Sequence, residues 1–214
     1  MNMRHRLSAG LAALALGVGG ASVAAAQNAE PFLDYEALKA SLADKPLVMN
    51  ADHGAVGFVA TSLIGSKVRG SFQDFTMTMS GGEGGQILVS AEFRVPTMEI
   101  NRRRNLVMSE DFLYADRYDT ITYRGALDPD SLIDDTPMTG VVLGELTLRG
   151  TSQPTQLIVD LTCDDIVDCP ASSLVINGVM EINRQDFGIT SMPGIVRNEI
   201  EIPIGGHFRP QVTD

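Results

Sequence analysis

The chain has 214 residues, with 27 acidic side chains against 16 Lys and Arg, a formal net charge of −11. That excess repels phosphate backbones and argues against nucleic-acid binding or adhesion to anionic lipid. The length is ample for one domain with a real core, and two cysteines and no tryptophan complete the frame.

The first 26 residues read as an address label. Arg4 and Arg6 give a positive start, Leu7 to Val23 is an apolar run, and Ala24, Ala25 and Ala26 supply small residues for cleavage. This is the pattern of a secretory signal peptide. A retained membrane anchor fits less well, because the run is rich in Gly and Ala and ends in a cleavage pattern. Cleavage near Ala26 would leave 188 of the 214 residues and, with two arginines and no acid removed, a charge of −13. The protein is therefore expected in the periplasm or otherwise secreted. Residues 27–46 form an expected helical extension, and 47–214 one domain with no dividing linker.

Pro31 to Lys45 is the helix candidate. Asp34 can cap it, Tyr35, Leu38 and Leu42 share one face, and Pro46 stops it. From Leu47 the apolar period becomes two. Val56, Phe58 and Ala60 align within 55–62, and Val68, Gly70 and Phe72 within 67–72. Phe75, Met77 and Met79 continue out of phase, which predicts a bulge near Gln73 and Asp74. After the turn at 80–85, Val89, Ala91, Phe93 and Val95 keep step within 86–100. Further strands are predicted over 119–126, 138–149, 155–162, 174–183 and 199–208. About eight strands with short connections and one helix favour an all-β antiparallel sandwich or barrel.

Cys163 and Cys169 bracket C-D-D-I-V-D-C. In an exported chain a local disulfide is favoured, worth about 2 kcal/mol for so short a loop. A metal site using them with Asp164, Asp165 and Asp168 matches known ligand spacings poorly. Gly178 to Ile189 reads G-V-M-E-I-N-R-Q-D-F-G-I. Met180 and Ile182 face one way, Gly188 suits a turn, and Arg184 and Asp186 are placed to pin the corner as an ion pair.

Three segments together resemble the YceI-like family, the polyisoprenoid-binding, lipocalin-like periplasmic proteins. The first is D-H-G-A-V-G-F from Asp52, with L-I-G-S-K-V-R-G-S-F from Leu63. The second is Arg103 to Leu113, ending S-E-D-F-L, with I-T-Y from Ile121. The third is G-E-L-T-L-R-G-T from Gly144, with N-R-Q-D-F-G-I from Asn183. The likeness runs from Leu47 to Phe208. It implies an extended eight-stranded antiparallel lipocalin-like barrel, here with a short N-terminal helix, whose lipid-sized tunnel binds a long isoprenoid such as a quinone or its polyprenyl precursor. The chain departs from the family pattern at Gly54, where Ser or Thr is frequent, at Ser62, where a second His is frequent, and at Arg103-Arg104, where an Arg-Asp pair is frequent.

An eight-stranded barrel has room inside for side chains or one slender ligand. The lumen candidates are Phe58, Phe93, Tyr123, Leu146, Leu148, Met180 and Ile182. Their residue types alone favour a filled core; the resemblance favours a tunnel. His53, one of two histidines after residue 26 with His207, reads first as a strand end and second as a head-group contact. Arg184 reads first as the partner of Asp186 and second as a head-group contact. Arg102, Arg103 and Arg104 read as a solvated turn, or as a guide for docking to a partner or lipid phosphate.

No nucleophile elbow, metal-ligand cluster, P-loop or dinucleotide fingerprint is visible, so no catalysis, metal or resident cofactor is expected beyond the bound isoprenoid itself. A non-enzymatic lipid carrier is the leading reading. The alternative is a filled-barrel interaction or stress protein supporting a membrane redox system. A homodimer and a transient contact with a membrane or membrane protein remain open expectations, because a sheet edge or lipid portal often needs cover.

Overall fold

The structure, a computed structural model, describes residues 33–43, 45–135, 138–163, 169 and 174–211. The expected signal peptide and Ala26, the start of the expected helix at Pro31, and Asp164, Asp165 and Asp168 lie outside the described residues.

Helix α1 spans Tyr35–Leu42. Asp34 caps it by accepting a hydrogen bond from the Ala37 amide, and Tyr35, Leu38 and Leu42 form the buried face, the face the spacing predicts. The strands follow in order: β1 Leu47–Asn50, β2 Gly54–Ser62, β3 Lys67–Ser71, β4 Phe75–Gly81, β5 Ile87–Arg94 and β6 Glu99–Ile100. A short helix, α2, spans Arg104–Met108. Then come β7 Thr120–Leu127, β8 Leu132–Asp135, β9 Met138–Leu148, β10 Thr151–Cys163, β11 Leu174–Asn183 and β12 Val196–Pro210.

Every pairing is antiparallel, and eight strands close into a barrel in the order β1, β4, β5, β7, β9, β10, β11, β12, with β1 back on β12. The long β12 makes closure possible. Along one edge it pairs with β11; along the other it pairs first with β2 and then with β1. β1 and β2 thus act as one interrupted strand. β3 and β4 do the same on the next stave, and their break at residues 72–74 is where the change of phase predicts a bulge.

Where β1 gives way to β2, backbones crowd. Gly54 lies opposite Gly206, and a Cβ on Gly54 would stand 2.5 Å from Met49 Sδ. The family's frequent Ser or Thr has no room there while Met49 holds its place.

The structure corrects several sequence-based bounds. β10 begins at Thr151, four positions earlier than predicted, and carries Pro154 opposite Glu145 of β9. The proline is tolerated because β10 does not pair with β11 until Leu157, so no ladder partner waits on that side. β12 begins at Val196, three positions early. The strand predicted over 86–100 breaks at a 3₁₀ turn, Val95–Thr97, into β5 and β6; the exposed turn at Arg102–Arg104 leads into α2; and β8 has no counterpart among the predicted strands.

Burial alternates residue by residue, most cleanly along β5. Inward positions are apolar, while outward ones include Glu92, Arg124, Glu145, Glu181 and Glu201, all exposed. A transmembrane barrel has the opposite arrangement, with an apolar belt outside and a polar lumen. One end of the barrel is solid. Leu38 and Leu42 of α1 meet Leu47, Met49, Met79, Ile87, Leu127, Met138, Leu161, Leu174 and Phe208 in a core where each is at most 2 % exposed. Tyr35 fastens α1 to that end, its hydroxyl lying 2.8 Å from the Leu127 carbonyl and 3.1 Å from that of Gly85. The Cys163–Cys169 disulfide lies at the same end, with the two Cα atoms 5.8 Å apart.

Candidate functional site

The other half of the barrel is hollow. A cavity of about 460 Å³ occupies it, within the size range of small-molecule sites. Along β2 its wall runs from Val56 through Phe58 and Ala60 to Ser62. Six residue steps of strand are about 20 Å, or about 15 Å along the barrel axis at the usual tilt.

All seven lumen candidates, Phe58, Phe93, Tyr123, Leu146, Leu148, Met180 and Ile182, line this one cavity. Their neighbours on the wall include Phe72, Met77, Ala91, Ile121, Leu157, Ile200, Ile202 and Ile204. The isoleucines of β12 carry the same period-two signal and were findable from it. Leu106, Val107, Phe112 and Leu113 come from the segment between β6 and β7, which has no periodicity to reveal them.

Tyr123 forms much of the floor. Two facing glycines below it, Gly125 of β7 and Gly144 of β9, leave the space its ring fills. A Cβ on Gly125 would stand 2.6 Å from Tyr123 Oη, and one on Gly144 2.7 Å from Tyr123 Cζ. The hydroxyl donates to the Val142 carbonyl at 3.0 Å. Burial pushes its pKa well above the ordinary tyrosine value, so it stays protonated.

Arg184 corrects the sequence reading. Asp186 is exposed, and no ion pair joins the two. Residues 184–187 form a single 3₁₀ turn, opened by Asn183 Oδ1 accepting from the Gln185 amide and closed by Gly188 at φ 73°. That turn sends Arg184 inward and Asp186 outward. The guanidinium, on a residue 2 % exposed, donates to four backbone carbonyls: Ser191 at 2.7 Å, Ile189 at 2.8 Å, Arg197 at 3.1 Å and Val196 at 3.3 Å. It laces the connection between β11 and β12 onto the barrel. Burial lowers its pKa, yet an arginine stays charged at neutral pH. Five N–H donors face four acceptors, so one donor remains on a residue that lines the cavity.

The cavity opens between the β2–β3 turn, the segment leading into α2, and the β11–β12 connection. Leu63, Ile64 and Ser66 line the mouth on the first, Arg102 and Arg103 on the second, Met192 and Ile195 on the third. Arg104 turns away and donates to the carbonyls of Met98 at 2.6 Å and Pro96 at 2.9 Å. Among the described residues, no Asp, Glu, His or Cys lines the cavity. His53 is not there either: it sits in the turn between β1 and β2, its carbonyl accepting from the His207 amide at 2.9 Å. The cavity can therefore hold an apolar body and meet a polar end with arginine donors. Its described lining presents no carboxylate, thiol or imidazole to serve as a base or nucleophile.

Among solved structures the chain is similar to BcnA of Burkholderia cenocepacia, with 18% identity and a TM-score of 0.59, covering 72% of this chain and 94% of that one. It is also similar to a polyisoprenoid binding domain from Saccharophagus degradans implicated in plant cell wall breakdown, at 13% identity and a TM-score of 0.54, covering 78% and 99%. At such identities these likenesses speak for the fold. A sequence relative, UPF0312 protein SA2479 of Staphylococcus aureus strain N315, is 28% identical over 145 residues, which is 64% of this chain and 78% of the relative. The YceI-like domain matches residues 47–208, from the first residue of β1 into the last turn-free stretch of β12, and the chain belongs to that family.

Proposed function

We propose that this protein binds and carries a single isoprenoid lipid, a quinone or polyprenyl precursor, with the tail in the hollow half of the barrel and the polar head at the mouth. The observation that carries this reading is the cavity: apolar on its walls, open at one end, with arginines as its charged lining residues. Burying a tail there contributes roughly 25 cal/mol per Å² of apolar surface, so affinity needs no directional contact along the chain. Direction comes from the head, where Arg102, Arg103 and the spare donor of Arg184 can meet oxygen atoms. The neighbouring fold described as a polyisoprenoid binding domain supports the same ligand class. A binding role in place of catalysis is supported by the described lining, which offers no carboxylate, thiol or imidazole to activate the Ser62, Ser66 or Tyr123 hydroxyls. Residues 1–26 support export, and with it a periplasmic place of work.

The test is native mass spectrometry of protein purified without detergent, followed by organic extraction. The expected result is one isoprenoid per chain, or stoichiometric uptake of added isoprenoid quinone. A clean apo mass with no uptake would overturn the carrier and leave the filled-barrel interaction protein.

A further inference from the structure

We propose that the mouth of the cavity is a docking surface for a lipid bilayer with anionic headgroups. This builds on the carrier reading and says where cargo enters.

Three large apolar side chains stand in water at the mouth: Ile64 at 92 % exposure, Leu63 at 56 % and Ile195 at 54 %. They are held there by construction. Ser62 closes the β2–β3 turn by accepting from the Gly65 amide at 2.9 Å and, through its hydroxyl, from the Ser66 amide at 3.0 Å. Gly65 takes the left-handed backbone, φ 85°, that such a turn requires. The Leu63 amide then donates to the Ile195 carbonyl at 2.9 Å, so two separate segments form one apolar tip. Turn tips in water usually carry Asn, Asp, Ser or Gly. A fixed tip bearing Leu and Ile marks a surface that is covered during function.

Charge identifies the cover. The chain is acidic overall, yet Arg102 and Arg103 are the charged side chains exposed on the mouth lining. Glu110 and Asp111, both exposed, belong to the same connecting segment; the Glu110 carbonyl accepts from Arg149 at 3.1 Å and the Asp111 carboxylate from Ser191 Oγ at 3.4 Å, but neither residue lines the mouth. Over most of its surface the protein is repelled by an anionic membrane, as the composition implies. On the lining of the mouth itself the sign reverses, and that local asymmetry orients the approach. An apolar tip flanked by a pair of arginines suits insertion at the headgroup boundary. The exposed residues are also lining residues, so a bilayer seated on them covers tip and opening together. An isoprenoid can then pass between acyl chains and cavity without crossing water.

The experiment is flotation of the purified protein with vesicles of equimolar phosphatidylglycerol and phosphatidylcholine, and with phosphatidylcholine alone. Neither contains isoprenoid, so docking is read apart from cargo. Wild type is expected to float with the anionic vesicles and to lose binding as salt rises. Ile64→Asp should lower partitioning roughly tenfold or more, from one lost apolar anchor. Arg102→Gln and Arg103→Asn should each lower it about fivefold; asparagine suits the φ of 59° at Arg103. Ile133→Asp, at a similarly exposed isoleucine on β8 at the solid end, should change nothing. Wild type that stays unbound, an Ile64→Asp variant that floats equally, or binding indifferent to phosphatidylglycerol would overturn the proposal. A protein that floats but yields no isoprenoid on extraction removes the carrier and keeps the docking surface. A lipid-loaded protein that never floats does the reverse.

Discussion

The two halves of this barrel share the same strands and the same alternation, yet one is solid and the other hollow. In the solid half the inward positions carry Met49, Met79, Leu127, Met138 and Phe208, and α1 adds Leu38 and Leu42 from outside the ring. In the hollow half the wall includes Gly57, Ala60, Ser62 and Ala91, and the short α2 lends Leu106 and Val107 to the wall without filling the space. Where large side chains do face the hollow, they lean on a partner: Phe72 and Phe93 pack with ring centroids 5.0 Å apart, and Tyr123 lies down over two glycines. Apolar inward positions therefore define a barrel but not what fills it. Occupancy is decided by the sizes of side chains facing one another across the lumen.

The largest effect should come from Arg184. Arg184→Met leaves four carbonyls without their donor, and we expect a loss of about 3 kcal/mol or more, read from urea unfolding. Arg184→Lys should rescue little, because one ammonium cannot spread over that fan of acceptors. If Arg184→Met unfolds like wild type, the mouth does not depend on the lacing.

The next experiment compares the halves directly. Leu38→Ala in the solid end should cost about 2–5 kcal/mol, as for a close-packed core leucine. Leu148→Ala on the cavity wall should cost about half as much or less in lipid-free protein, because that side chain already lacks neighbours on its inner side. Equal costs would mean that the hollow half is packed in solution. Added isoprenoid should widen the gap between wild type and Leu148→Ala while leaving the cost of Leu38→Ala unchanged.

The smallest effect is pH dependence at the floor between the halves. The Tyr123 pKa is raised in the folded state by burial. Its neutral form is therefore favoured by folding, and its contribution is complete below the ordinary tyrosine value of about 10. Above that pH the unfolded chain loses the proton first, so stability should fall by up to about 1.4 kcal/mol per pH unit. Tyr35 is raised too, by burial first, and adds with the same sign. Comparing Tyr123→Phe with wild type between pH 9 and 11, an interval around that ordinary value, isolates Tyr123: the variant should show the shallower decline. Parallel profiles would place the floor in contact with water.

Much of the fold was legible in the chain itself. Strand period, the capping Asp34, the Leu38–Leu42 face and the phase change before Phe75 are local signals, and each appears in the structure at or near its predicted place. That the seven lumen candidates face inward was legible for the same reason; that they line a hollow and not a filled core was expected only from the family resemblance. Arg184 was not. Two charges spaced two apart suggest a pair, but the 3₁₀ turn aims them oppositely, and the true acceptors come from residues 189–197, whose carbonyls every sequence possesses. The mouth was illegible in a different way. Leu63 and Ile195 are 132 positions apart, and only closure of β12 against β2 brings their segments to one hydrogen bond.

The plug at the α1 end has a consequence for measurement of length. A vessel with one doorway fixes how much chain it can swallow. Under the proposed carrier role, an isoprenoid that just reaches the Tyr123 floor would fit whole, and every additional unit would double back or trail outside. Affinity should rise with chain length and then level off, making the barrel a molecular ruler whose zero mark is a tyrosine ring and whose scale ends at the lip.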